Sequence, residues 1–327
     1  MRLFGKSRNG GDDTTVFFAT DLHGSEVCFR KFVAAAGFYG ADLLVLGGDI
    51  TGKFVSPVVE NGDGWWSEVH GRRVALKAEE LDGFEAQMAD EGVYTRRMTA
   101  DEHAAYEHHP ERVDALFLEL MTARLEHWIE YARERLDGTP VRILTAPGND
   151  DPYAVDDVIR VHGGDRVVLV EGELIEIAPG HQMLSTGWSN RTPWDTHREF
   201  EEDALRAHIE EMAEQLSDPA TAIFNIHVPP YDSTLDTAPQ LDADLAVKTS
   251  MGNQLTAPAG STAVRAAIEA YQPLASLHGH IHEAGGSVRI GRTVAINAGS
   301  EYGEGVLRGV LLTVGGGELK RVQATSG

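Results

Sequence analysis

Short apolar runs alternate with segments of helical periodicity along most of the chain. Residues 14–20 (TTVFFAT) are mostly β-branched and aromatic, residues 42–46 (DLLVL) are mostly aliphatic, and residues 25–37 between them have the pattern of a helix. Strands that alternate with helices in this way are typical of an α/β fold with parallel pairing. The same criteria predict strands at residues 141–145, 167–170, 174–177, 183–186, 222–226, 273–277, 293–297 and 309–314, and helices at residues 198–216 and 261–271.

This alternation is interrupted between residues 53 and 138. Residues 65–76 could form a hairpin, and residues 99–136 have apolar side chains at helical spacings. Thr99 followed by Glu102 fits a capping box at the start of that helical segment. We therefore predict one domain at residues 14–315, interrupted by a mostly helical insertion at residues 53–138 that could act as a cap, with polar tails at residues 1–13 and 316–327.

The charge of the chain restricts its partners. The formal net charge is -23 over 327 residues, and an acidic surface disfavours non-specific binding to nucleic acids or anionic lipids. The apolar runs are too short for a membrane span, and the polar N-terminal segment lacks a signal-peptide core. Cys28 is the single cysteine, which excludes an internal disulfide. We therefore expect a cytoplasmic protein whose partner is neither a membrane nor a nucleic acid.

Polar side chains follow five of the predicted strands. Open α/β sheets place their binding sites at the carboxyl ends of the strands. Burying so many polar groups without partners would cost several kcal/mol, so a shared ligand is a better explanation than core packing. In the segment 278–282, three histidines at alternate positions would point to one side if the segment is extended. The candidate residues are Asp21 and His23 after the first strand, Asp49 after the second, Asn149 after residues 141–145, His227 after residues 222–226, and His280 with His282 after residues 273–277.

These residue types indicate a metal centre. Neutral imidazole is the commonest metal ligand, and mixed oxygen and nitrogen donors suit Mn²⁺, Fe, Zn²⁺ or Co²⁺. Two cations held about 3.5–4 Å apart and bridged by a carboxylate can clamp a phosphoryl group and lower the pKa of a shared water. We interpret the set as a site for phosphoester hydrolysis by direct water attack, without a covalent intermediate.

The order of the motifs resembles that of the calcineurin-like metallophosphoesterases, and of a bacterial and archaeal branch of predicted phosphoesterases within that family. The resemblance implies a four-layer α/β/β/α sandwich with two mixed β-sheets. It also implies two divalent metal ions, with Mn favoured and Fe, Zn, Co or Ni left open. The motifs are D-x-H (Asp21, His23), G-G-D (Asp49), G-N (Gly148, Asn149), H (His227) and G-H-x-H (Gly279, His280, His282). On this resemblance one metal is held by Asp21, His23, Asp49 and His282, the other by Asp49, Asn149, His227 and His280, and Asp49 bridges the two.

One position departs from the family pattern. Asp150 stands where the family has a histidine that is thought to contact the phosphate and help the leaving group depart. A carboxylate there would repel a phosphate unless it is protonated or turned toward another partner. His23, His278 or a residue of the insertion could supply the missing function. A leaving group that needs little protonation is the other explanation, and we favour diesters over monoesters.

Arg191 is a candidate for contacting a non-bridging phosphate oxygen, because arginine binds such oxygens bidentately. An exposed salt bridge explains this residue at least equally well. For His278 we favour a core or supporting role over metal ligation. The catalytic candidates are therefore Asp49, Asn149, His23, Asp150 and Arg191.

Other functions are open at this point. A catalytically weak scaffold protein on the same fold would explain the missing histidine, but it would not need seven metal-ligand positions. A nuclease is disfavoured by the acidic composition. We expect a phosphodiesterase for a small phosphoester, with oligomerisation left open. Residues 53–138 and a long irregular loop at residues 231–260 could form a lid over the site.

Overall fold

The computed structural model describes residues 13–69, 71–242 and 244–327, so that residues 1–12 of the predicted N-terminal tail lie outside the described part. The strands are β1 (Thr14–Ala19), β2 (Leu43–Leu46), β3 (Phe54–Asn61), β4 (Gly64–Val69), β5 (Arg72–Leu76), β6 (Val93–Met98), β7 (Arg142–Thr145), β8 (Val167–Leu169), β9 (Glu173–Ala178), β10 (His181–Thr186), β11 (Ser189–Asn190), β12 (Glu199–Phe200), β13 (Ile223–Ile226), β14 (Thr237–Pro239), β15 (Thr249–Ser250), β16 (Asn253–Gln254), β17 (Thr256–Pro258), β18 (Ala275–His278), β19 (Gly286–Ile290), β20 (Thr293–Asn297), β21 (Arg308–Gly315) and β22 (Glu318–Ser326). The helices are α1 (Glu26–Tyr39), α2 (Leu81–Asp90), α3 (Ala100–Glu107), α4 (Pro110–Arg135), α5 (Ala154–His162), α6 (Glu202–Ala213) and α7 (Thr262–Tyr271).

Two six-stranded sheets form the centre of the molecule. The first has the strand order β22-β21-β1-β2-β7-β8, in which β1, β2, β7 and β8 run parallel. The second has the order β19-β20-β18-β13-β10-β9, in which β20, β18, β13 and β10 run parallel. Parallel strands that are covered on both faces are apolar along their whole length, which explains the continuous apolar runs in the sequence.

The two sheets share one apolar cluster. Val16 and Phe18 of β1 lie in it together with Met183 of β10. Because successive side chains of a strand point to opposite faces, Phe17 lies on the other face of the first sheet. There its ring packs 6.1 Å from that of Phe32 in α1.

Helices cover the outer face of each sheet. Buried side chains of α1, α4 and α5 form a cluster with Phe17 and Leu44 of the first sheet. Those of α6 and α7 form another with Leu184 and Phe224 of the second sheet. The mixed α/β class predicted from the sequence is therefore confirmed.

Residues 53–138 contain a sheet that the sequence analysis does not predict. Its strand order is β5-β4-β3-β6, and only the β4–β5 hairpin is foreseen, at residues 65–76. Two further pairings complete the sheet: β3 pairs antiparallel with β4, and β3 pairs parallel with β6. Because β3 and β6 lie far apart in sequence, a local pattern does not reveal their pairing. The capping box is confirmed, because Thr99 and Glu102 exchange hydrogen bonds at the start of α3. Residues 53–138 thus contain a four-stranded sheet in addition to the predicted helical segments.

The second half of α4 belongs to the main core, although the sequence analysis assigns it to the insertion. Trp128 is buried and its ring is stacked on that of Phe29 in α1, with 4.3 Å between the centroids and 3° between the planes. The indole N–H of Trp128 donates to the carboxylate of Glu26. The apolar face of α4 thus packs over the first sheet, although α4 falls within the predicted insertion.

Three other segments differ from expectation. Residues 318–326 are not a tail but the edge strand β22, whose mostly exposed polar side chains conceal its pairing with β21. Helix α6 begins at Glu202 rather than at residue 198, since residues 199–200 form β12. The loop at residues 231–260 contains two short paired units, β14 with β17 and β15 with β16. Within the described residues, no helix is both long and apolar enough to cross a membrane.

Replacing Trp128 with alanine tests the assignment of α4 to the main core. Loss of a buried, stacked ring should lower the free energy of unfolding by about 3–5 kcal/mol, measured by denaturant titration. Leu118→Ala is the matched control, because Leu118 lies on the same helix but is 40% exposed; it should cost about 0.5 kcal/mol or less. Equal effects of the two changes would contradict the assignment.

Candidate metal centre

The carboxyl ends of the central strands bring the seven candidate ligands to one edge of the molecule. Parallel strands end on the same side of a sheet, and the two sheets pack face to face, so their side chains meet there. Five of the seven are buried, and the other two, His280 and His282, are partly exposed. Asp21 and His23 follow β1, Asp49 follows β2, Asn149 follows β7, His227 follows β13, and His280 and His282 follow β18.

Asp21, His23 and His282 form a first group that could hold a metal ion, with ligand atoms within 4.8 Å of one another. The Nε2 atoms of His23 and His282 lie 3.0 Å apart. Oδ1 of Asp21 lies 3.3 Å from Nε2 of His282. Two imidazole nitrogens that face each other can share only one proton, so a cation satisfies them and the carboxylate better than a hydrogen bond does.

Asp49, His227 and His280 form a second such group. Oδ1 of Asp49 lies 3.3 Å from Nε2 of His227 in this group. Oδ2 of Asp49 lies 3.6 Å from Nε2 of His23 in the first group. The two oxygens of one carboxylate therefore face different groups, which is the arrangement that a bridging ligand needs.

The histidine segment is not extended, contrary to the expectation from its alternate spacing. Strand β18 ends at His278, His280 has a φ of 66°, and His282 opens a single 3₁₀ turn. His278 is buried, and its Nδ1–H donates to the carbonyl oxygens of Ile226 (2.8 Å) and Val228 (3.0 Å). His278 thus serves the second sheet, and only His280 and His282 join the two groups.

The backbone is strained where the ligands leave their strands. Asp21, His23 and Asp49 have φ angles of 54°, 42° and 49°, in a region that residues other than glycine rarely adopt. Each such residue costs about 1–3 kcal/mol and persists only where its surroundings hold it. The N–H of Asp21 donates to the carbonyl of Gly48 (2.9 Å), and that of His23 donates to the carbonyl of Asp49 (3.0 Å). With His280, four candidate ligands keep such strain, which is typical of a preorganised functional site.

Two glycines make room for the carboxylates. A Cβ atom on Gly148 would lie 2.1 Å from Oδ1 of Asp49, and one on Gly279 would lie 2.2 Å from Oδ2 of Asp21. Neither contact is tolerable, because the backbone itself approaches the carboxylate. The glycines of the G-N and G-H-x-H motifs are therefore required by the packing of the site.

The carboxylates and histidines of the site shift one another's pKa values. Burial by itself raises the pKa of Asp21 and Asp49, but the neighbouring histidines outweigh it and hold both pKa values well below the usual range. Burial lowers the pKa of His227, yet the charges of Asp49 and Asp21 raise it to about 10. Burial lowers the pKa of His23 to about 3 and that of His280 to about 4. His227 would have to lose its proton to bind a metal ion, whereas His23 and His280 are neutral at pH 7 and need lose none.

Polar atoms that face the site lack partners among the described residues. Oδ1 of Asn149 and Nε2 of His227 are buried and make no hydrogen bond there. The amide nitrogen of Asn149 donates to Thr196 (2.8 Å), and Nδ1–H of His227 donates to the carbonyl of Gly47 (3.0 Å), so each of these unpaired atoms is turned to the site. A buried polar atom that makes no hydrogen bond costs about 1–3 kcal/mol. Together with the carboxylates and neutral imidazoles, these atoms make a donor set that fits divalent metal ions.

Asp151 is a buried residue of the site that the sequence analysis does not single out. Its carboxylate accepts hydrogen bonds from the N–H groups of Ile50 (3.0 Å), Thr51 (2.9 Å) and Gly148 (2.8 Å), and from the hydroxyl of Thr51 (2.6 Å). It thereby ties the loop that carries Asp49 to the loop that carries Asn149. Its only signal in the sequence is its place two residues after Asn149 of the G-N motif.

Lys53 is a second residue that sequence reasoning misses, at the first position of the predicted insertion. Its ammonium group forms an ion pair with Asp150, whose own N–H donates to Oδ1 of Asp49 (3.1 Å). Burial and the charge of Asp49 raise the pKa of Asp150 to about 6. Burial lowers the pKa of Lys53, but Asp49 and Asp150 outweigh it and raise that pKa. Asp150, expected to repel a phosphate, is therefore turned toward a charged lysine.

Arg191 is placed in a surface salt bridge. Its side chain is half exposed, and the guanidinium group donates to Asp195 (2.9 Å) and Glu201 (3.2 Å). The described contacts thus agree with the exposed salt bridge considered in the sequence analysis. A contact between Arg191 and a phosphate stays a prediction.

Comparisons with known proteins place the fold but not the function. No protein-family profile and no curated protein matches the chain. One solved structure aligns with 96% of this chain and 98% of its own, with 15% identity and a TM-score of 0.54. TT1561 of Thermus thermophilus aligns with 95% of this chain and 98% of its own (13% identity, TM-score 0.49), and a novel archaeal phosphodiesterase with 95% and 99% (9% identity, TM-score 0.38). At these identities the first match shows a shared fold alone, and the other two support no functional assignment.

Gly148→Ala tests whether the backbone at residue 148 must approach Asp49. The added methyl group should displace the carboxylate, so the folded variant should lose at least one of the bound Mn²⁺ ions, measured by elemental analysis after metal loading. Gly37→Ala in α1 is the control, because a Cβ atom there meets nothing within 4 Å. It should keep full metal content and gain about 0.5–1 kcal/mol of stability. Wild-type metal content in the Gly148 variant would refute the close-approach argument.

Proposed function

We propose that the chain is a metal-dependent phosphoester hydrolase of the calcineurin-like metallophosphoesterase family. The observation that carries the proposal is Asp49, whose two carboxylate oxygens face different histidine groups. Apolar clusters between the sheets and on the outer face of each sheet support the four-layer α/β/β/α sandwich of that family. Backbone strain at four ligand positions supports a catalytic role over a scaffold, because a scaffold has no use for it.

Two divalent cations are the proposed cofactors. When bound, they supply the charge that acidifies a shared water and stabilises the phosphate oxygens during direct attack on phosphorus. Manganese is the favoured metal, and iron, zinc, cobalt or nickel would also suit the donor set. One ion is assigned to Asp21, His23, Asp49 and His282, and the other to Asp49, Asn149, His227 and His280.

Neighbouring groups of the chain orient these ligands. The carboxylate of Asp21 accepts hydrogen bonds from the hydroxyl of Thr20 (2.8 Å) and from the backbone N–H of His280. The nitrogen of His280 lies 3.1 Å from each carboxylate oxygen. Nδ1–H of His227 donates to a backbone carbonyl and so presents Nε2 as the ligand atom. Partners of this kind fix the tautomer and the ring orientation, and losing one typically costs about 10–100-fold in metal affinity or activity.

A cleft of about 750 Å³ beside the first group offers room for the substrate. His282, Ser300 and Tyr302 contribute to its walls. The hydroxyl of Ser300 donates to the carbonyl of Asp21 (2.7 Å), and the Tyr302 ring lies 4.8 Å from that of His23, so the cleft adjoins the ligands directly. Its size suits a small organic ester.

We propose a small phosphodiester as the substrate. The net charge of -23 disfavours nucleic acid, which needs a basic surface. The family histidine that assists a poor leaving group is replaced by Asp150, which favours diesters over monoesters. A cytoplasmic location, expected from the single cysteine, belongs to the same proposal.

Hydrolysis of bis-p-nitrophenyl phosphate and p-nitrophenyl phosphate by metal-stripped protein, with and without added Mn²⁺, tests the proposed activity. We expect no turnover without metal, turnover of both esters with Mn²⁺, and a higher kcat/KM for the diester. Failure to hydrolyse either ester while two Mn²⁺ ions are bound per chain would overturn the proposal in favour of a metal-binding scaffold.

A further inference from the structure

The ion pair between Lys53 and Asp150 is attached directly to the candidate ligands. The N–H of Asp150 donates to Oδ1 of Asp49 (3.1 Å), and the amide nitrogen of Asn149 donates to Oδ1 of Asp150 (3.2 Å). Lys53 pairs with the other oxygen, Oδ2. The pair thus borders the two residues that would share or hold the second metal, at the position where the family pattern has a histidine.

The backbone that carries Lys53 is held firmly against the site. The N–H of Gly52 donates to the hydroxyl of Tyr94 (2.9 Å), and Thr51 is bound by the buried carboxylate of Asp151. A Cβ atom on Gly52 would lie 2.3 Å from the carbonyl oxygen of Gly92, so the two chain segments are in close contact. The lysine therefore extends from a fixed point, and the ion pair with Asp150 holds its ammonium group.

We propose that Lys53 binds a non-bridging oxygen of the substrate phosphate, and that Asp150 positions Lys53 for this contact. The inference rests on the proposed function and names the group that replaces the usual histidine. Lysine is a common phosphate ligand and acts as a point charge. Pairing with Lys53 also cancels the negative charge of Asp150, which would otherwise repel the substrate. The proposal assigns no proton transfer to either residue.

The side chain of Lys53 has the exposure that such a role requires. The side chain is 37% exposed, whereas that of Asp150 is 19% exposed. Lys53 is thus paired with Asp150 but keeps exposed surface, as a residue that contacts an incoming phosphate needs. Arg191, the cation favoured by the sequence analysis, is occupied by two surface carboxylates instead.

Lys53→Met, Lys53→Arg and a control test the proposal. The control is Lys320→Met, because Lys320 forms a comparable ion pair with Asp13 and is 41% exposed. Each variant is loaded with Mn²⁺, and its metal content, its kcat and KM for bis-p-nitrophenyl phosphate, and its Kd for inorganic phosphate by calorimetry are measured. Lys53→Met should keep two metal ions, lose about 10²-fold in kcat/KM, and bind phosphate about tenfold more weakly. Lys53→Arg should retain most of the wild-type kcat/KM and phosphate affinity, and Lys320→Met should match the wild type in both quantities.

Asp150→Asn, alone and combined with Lys53→Met, tests the positioning role. The single change should reduce phosphate affinity, since Lys53 loses its partner. In the Lys53→Met background the same change should have no further adverse effect, because there is no ammonium group left to position. Additive losses would show that Asp150 acts independently of Lys53 and would overturn the positioning role.

The outcomes separate this inference from the proposed function. A hydrolase whose Lys53→Met and Lys320→Met variants behave alike would overturn the role of Lys53 and leave the function intact. Loss of metal from Lys53→Met would also overturn the role of Lys53 in phosphate binding. His23, Asp49 and Asp150 lie close enough to hold an ion, so the lysine would then act by keeping these metal ligands in place. A wild type that hydrolyses no ester but binds phosphate through Lys53 would overturn the function and support the contact. A wild type that does neither would overturn both.

Discussion

Two buried carboxylates facing a set of histidines impose the main constraint on this structure. Asp21 and Asp49 are almost fully buried, and an ionised carboxylate in a protein interior is costly unless positive charge or hydrogen-bond donors compensate it. These carboxylates raise the pKa of His227 and of His282, so the two imidazoles can meet this need by holding protons. The site also has the donors to meet it with metal ions. Holding these carboxylates close to the histidines explains the strained loops, the glycines at positions 148 and 279, and the hydrogen bonds that orient the candidate ligands.

The same constraint links the site to the packing of the two sheets. Asp21, His23 and Asp49 come from the first sheet, whereas His227, His280 and His282 come from the second. Both groups of candidate ligands therefore exist only while the apolar cluster between the sheets is intact. Metal binding and folding stability are thereby coupled, because an ion that bridges the sheets binds to the folded state and not to the unfolded chain. Asp151 performs the corresponding task within the first sheet, by joining the loops after β2 and β7.

The sequence predicts the parts of the fold and site that depend on local pattern. The apolar parallel strands are recognisable because both of their faces are covered, and the polar residues after them identify the edge where they meet. The conformation of the segment 278–282 could not be predicted, because a positive φ at His280 is set by tertiary contacts with Asp21 rather than by residue type. The pairing of β3 with β6 and the packing of Trp128 depend on distant residues. The ion pair of Lys53 with Asp150 joins residues nearly one hundred positions apart, so the local sequence pattern does not predict it.

The central claim is that Asp49 bridges two metal ions, and titration of metal-free protein with Mn²⁺ followed by electron paramagnetic resonance tests it most directly. The account predicts two ions per chain in the wild type, with the weakened and broadened signal of a magnetically coupled pair. Asp49→Asn, which removes one carboxylate oxygen and the charge, should abolish the coupling and weaken at least one site. A wild type that binds a single ion, or two ions without coupling, would contradict the account.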